Sequence, residues 1–196
     1  MPVGDLARLR HRGLWLEGTS IAWTVVVAAV AITAGITASS IALIGLGLES
    51  AIEMVAAVIV IWRLRGGAAE RESRALRLIA VTFLAGAVYL LVESIHELVS
   101  HTHSHHTVPG LAVAAAALAV MPVLAILKRR TGRALTSQTL IADSSETALT
   151  AVAAAAVLLG TGLDAWLGWW QAVPAAGLAV AVVAAIEGGE IWAHHH

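Results

Sequence analysis

Apolar residues run through this chain in long unbroken blocks rather than in short alternations. Six blocks reach the length of roughly 20 residues that a helix needs to cross a bilayer: 16–38, 39–62, 76–99, 108–127, 134–160 and 169–192. Ala, Val and Leu dominate them, and none shows the period-two alternation of a membrane-barrel strand. The pattern predicts an all-α, polytopic membrane protein with six transmembrane helices. Residues 1–196 form a single transmembrane domain in this reading, with no soluble domain. The first block follows a basic start, as a secretory signal does, but it is too long for a signal's apolar core.

Charge placement adds a topology. With six spans both termini lie on one side of the membrane, and all 12 Lys and Arg fall on that side. They sit in the tail (Arg8, Arg10, Arg12), the second loop (Arg63, Arg65, Arg71, Arg74, Arg77) and the fourth (Lys128, Arg129, Arg130, Arg133). The positive-inside rule makes that side cytoplasmic. No basic residue is expected deep in a span. Tryptophans support the frame: Trp15, Trp62 and Trp192 fall near inner ends and Trp166, Trp169 and Trp170 near an outer end, leaving Trp23 within a span. Composition agrees, with 59% hydrophobic and 13% charged residues. The absence of cysteine excludes disulfides and thiolate ligands, and no nucleic-acid partner is expected.

Against this apolar background the acids stand out. Glu49 and Glu53 lie four residues apart on one helix face. Counting inward from Ser39 at about 1.5 Å per residue, Glu49 lies roughly 15 Å deep. Asp143 and Glu146 share a face on the fifth block, and Glu146 lies about 18 Å from Ala134 by the same rise. Two helices thus present acids at one level. A carboxylate at the centre of a bilayer helix costs about 2.5 to 3.5 kcal/mol on insertion scales. With no base expected nearby, protons or a cation must neutralise the set. A site that alternates between these occupants is what proton-coupled cation transport requires. The bland alternative is a set of permanently protonated acids that donate hydrogen bonds between helices. Gly45, Gly47 and Ser50 would let another helix approach closely. Thr147 and Thr150, each one turn beyond an acid, offer either a neutral ligand oxygen or a bond back to the helix carbonyl.

A second polar cluster closes the third block: Glu93, His96 and Glu97, followed by His101, His103, His105 and His106 in the outer loop. Such histidine density fits a borderline divalent metal, so the loop could gather or release ions. It also supports a rival reading, a non-transporting membrane metal sensor or binding protein. An intramembrane zinc protease is not supported. His101 follows His96 by five residues, which rotates it about 140° onto another face, and no other enzyme motif is present.

The order of these features resembles the cation diffusion facilitator superfamily, specifically its short bacterial members made of the six-helix membrane portion. The resemblance runs through Ser40–Glu53 with Trp62-Arg63, Ala75–Ala80, Met121-Pro122, Ala142–Thr147, Gly168–Trp170, Pro174 and Glu187-Gly188. It implies a transport site built from an acid-x-x-x-acid pair on the second helix, here Glu49 and Glu53. The family's second pair, on the fifth helix, is His-or-acid followed by Asp. Here Glu146 stands at the usual histidine and Thr150 at the usual aspartate, with Asp143 as substitute or supporting ligand. Val173 departs from the acid common before the proline. The resemblance implies a divalent cation as cargo, zinc first and manganese or ferrous iron next, exported in exchange for protons. It further implies no resident cofactor, a homodimer, and residence in a bacterial inner membrane. The cytoplasmic metal-binding domain usual after the sixth helix is not expected here.

Overall fold

The computed structural model of the chain describes residues 3–38, 41–66, 69–100 and 108–194. Six helices carry them: α1 (Val3–Ala38), α2 (Ile41–Arg65), α3 (Ala69–Ser100), α4 (Val108–Leu135), α5 (Gln138–Leu167) and α6 (Ala172–His194). No strand occurs among the described residues. Five of the helices, α1 and α3 to α6, are long and apolar enough to cross a membrane. The protein is therefore an all-α, multi-pass membrane protein.

The helices outrun the apolar blocks at the arginine-bearing end. α1 begins at Val3 rather than near Leu16, α3 at Ala69 rather than near Leu76, and α4 continues to Leu135 rather than ending near Leu127. Apolarity marks where lipid ends, whereas a helix continues until a residue breaks it. The added turns are rich in Arg, Leu and Ala, all strong helix formers, and Asp5 pairs with Arg8 one turn on. The break between α4 and α5 falls at Thr136, whose φ is 52°. Ser137 then caps α5, its side chain accepting from the Leu140 N–H. Beyond its predicted end, α5 runs on to Leu167 and stops at Gly168, whose φ of 64° suits glycine.

Each helix turns a stripe of small or apolar residues inward at helical spacing. Two apolar clusters result. One joins α2, α3, α5 and α6 through Val60, Leu64, Leu76, Ile79, Phe83, Leu140 and Ala184. The other joins α4 and α5 through Ala114, Ala117, Met121, Leu124, Ala151 and Ala154, with Leu16 and Trp23 of α1 packed on it. Large apolar side chains such as Val26, Val58, Val88, Val123 and Ile186 face outward, as lipid contact requires. At Gly47 α2 packs closely on α1: a β-carbon there would stand 2.5 Å from Ile32 Cγ1.

The arginine-bearing end is tied together by polar contacts. Arg10 of α1 donates from Nε to the Leu64 carbonyl at 3.1 Å, satisfying one of the orphan carbonyls at the end of α2. Glu72 of α3 accepts from the Thr139 N–H at 2.7 Å and from Thr139 Oγ1 at 2.8 Å. It also accepts from Ser137 Oγ and forms an ion pair with Arg63 of α2. A carboxylate thus covers the electropositive N-terminus of α5.

Candidate cation site

The acids singled out by the sequence enter the structure from three helices. On α2, Glu53 is buried and Glu49, one turn away, is half-buried. Glu53 Oε1 accepts no hydrogen bond although it is sealed from solvent. On α5, Glu146 lies within electrostatic reach of both Glu53 and Asp143. Its Oε2 lies 3.4 Å from Thr82 Oγ1 of α3, whose hydroxyl donates to the Ile79 carbonyl at 2.7 Å. Glu93 of α3, which the sequence groups with the outer histidines, is within reach of Glu49, and Tyr89 pairs with it. The acids form a column along the interior, from Glu93 through Glu49 and Glu53 to Glu146 and Asp143.

The column does not close into a finished ligand cage. Among the described residues no three His, Cys, Asp or Glu side chains converge closely enough to grip one ion. Thr150 turns its hydroxyl back to the Glu146 carbonyl at 3.3 Å, as Thr147 does to Asp143 at 3.1 Å. At the far end of α3, His96 is exposed and Glu97 half-buried. His101, His103, His105 and His106 lie outside the described residues.

One expectation is overturned. A base does reach the level of the acids: Lys128, only 1% exposed, points inward from α4. Its Nζ donates to Asp143 Oδ2 at 2.6 Å and to Thr147 Oγ1 at 3.2 Å. Glu17 of α1, also fully buried, brings Oε2 to 3.1 Å from the same ammonium, an ion pair whose angle makes no hydrogen bond. Asp143 is therefore held by a lysine rather than left without a counter-charge. The apolar block ends at Leu127, which by sequence puts Lys128 in a loop. The helix continues, and its buried stripe at Ala117, Met121 and Leu124 extends onto Lys128 and Thr131. That periodicity was the available signal. Glu17 likewise continues a stripe with Ser20, Thr24, Val27 and Ala31. Thr82 and Glu72 carried no signal of their own.

The helix order and this acid column on α2 and α5 accompany a match to the cation efflux transmembrane domain over residues 19–193. The chain belongs to the cation efflux family. That family comprises membrane cation transporters, and the matched residues include Glu49, Glu53, Asp143 and Glu146. Transmembrane protein 163 of Xenopus laevis is 28% identical over 156 residues, covering 76% of this chain and 55% of the relative. The chain thus spans about half the length of that curated relative.

Proposed function

We propose that the chain moves a divalent metal cation, zinc first, across a bacterial inner membrane in exchange for protons, outward from the cytoplasm. Glu49 and Glu53 of α2 with Glu146 of α5 are the acids that take the ion. The observation that carries this reading is the meeting of α2 and α5 acids in the interior of a cation efflux domain, with one Glu53 oxygen buried and unpartnered. An oxygen in that state gains most from a proton or a cation. Asp143 stands one turn toward the arginine-bearing end, bound by Lys128. Six spans, with both termini on the cytoplasmic side and two copies associating, complete the reading.

Proteoliposomes with an entrapped pH dye test it. Addition of Zn²⁺, Mn²⁺ or Fe²⁺ is expected to drive metal-dependent proton movement that Glu53→Gln abolishes. No proton movement in the wild type would sink antiport. Flux that survives Glu49→Gln with Glu53→Gln and disappears on replacing His101, His103, His105 and His106 would move the activity to the loop.

A further inference from the structure

A buried lysine beside acids that take a cation works against them. Lys128 is held by Asp143, Thr147 and Glu17 in a layer from which solvent is excluded, and its ammonium is within electrostatic reach of Glu53 and Glu146. Stability alone does not call for such a group, because apolar residues of similar volume often replace a buried ion pair without loss. The charge itself is the property that an apolar substitute would lack. Asp143, which shares the ammonium with Glu17, stands one helical turn from Glu146.

We propose that Lys128 is a tethered cation that sets how tightly the Glu49, Glu53 and Glu146 site holds its divalent ion. It masks Asp143 and opposes the incoming charge, so that the ion is held loosely enough to leave. Asp143 is then a positioning residue that acts through Lys128 and does not touch the ion. This rests on the transport site proposed above.

Charge counting separates this role from direct ligation. Lys128→Met removes one positive charge from the layer, Asp143→Asn removes one negative charge, and the double variant restores the wild-type sum whatever the state of Glu17. Mn²⁺ binding by electron paramagnetic resonance is a suitable readout, since Mn²⁺ favours carboxylate oxygens over the loop histidines. The Glu53-dependent component is taken as the difference from Glu53→Gln. K128M is expected to tighten this component by on the order of tenfold and D143N to weaken it similarly. The double variant is expected to restore wild-type affinity, and Lys128→Arg to retain it. Unchanged or weaker binding in K128M overturns the inference. So does a double variant as weak as D143N, which would make Asp143 a direct ligand. If K128M alone does not fold, the comparison of D143N with the double variant decides in the same way. Absence of any Glu53-dependent binding in the wild type would overturn the site itself, and the inference with it.

Discussion

Glu146 is approached by two threonines, and each gives its hydroxyl proton to a carbonyl of its own helix. Thr82 donates to Ile79 at 2.7 Å and leaves Oγ1 3.4 Å from the Glu146 carboxylate, whereas Thr150 donates to the Glu146 backbone carbonyl. Removing the carboxylate charge with Glu146→Gln is expected to lower metal affinity by on the order of tenfold, measured by equilibrium dialysis. Thr150→Val should leave affinity and flux near the wild-type values, because its hydroxyl serves the helix. A loss as large as that of E146Q would return Thr150 to the ligand set that family resemblance implies for it. At this scale the sequence located Glu49, Glu53 and Glu146 because charge is conspicuous in an apolar run. It could not locate Thr82, since a threonine in a membrane helix is ordinary until its neighbour is known.

Among the elements, α5 bears the acids Asp143 and Glu146 in its first half, and its N-terminus is anchored from α3. Glu72 receives the Thr139 N–H and both nearby hydroxyls while pairing with Arg63. Replacing it by alanine leaves a mostly buried guanidinium and helix donors without their acceptor. Glu72→Ala is expected to cost about 1–3 kcal/mol, read as a lower thermal midpoint in detergent. A variant as stable as the wild type would mean that water replaces the anchor. Close approach makes a second demand on α2. Gly47→Leu would drive a side chain into Ile32 of α1, and the variant is expected to be less stable and poorly folded. Unchanged stability would mean that α1 can shift aside at little cost. The sequence marked Gly47 as a place of approach, yet glycine is common in membrane helices and only the packed partner gives it meaning.

For the whole molecule, topology is open to direct measurement because the chain contains no cysteine. Single substitutions Ser73→Cys, in the early turns of α3, and Ser100→Cys, at its far end, are expected to react with a membrane-impermeant maleimide from opposite sides. Labelling of Ser73→Cys from outside intact cells would reverse the proposed orientation. A pH dependence follows from ligand chemistry: carboxylates must lose protons to hold a metal. Metal binding is therefore expected to weaken as pH falls, and binding unaffected by acid would remove protons from the exchange.

The sequence by itself determined the membrane class, the helical content and the row of conspicuous acids. Each depends on local composition or on spacing along one helix, which a linear chain carries in full. Only the tertiary structure decided that Lys128 turns inward, that Glu17 and Asp143 share its charge, and that Glu93 comes within reach of Glu49. Those outcomes depend on which faces of separate helices meet. An apolar block ends where lipid contact ends, so it could not tell that α4 continues and carries its buried stripe onto a lysine.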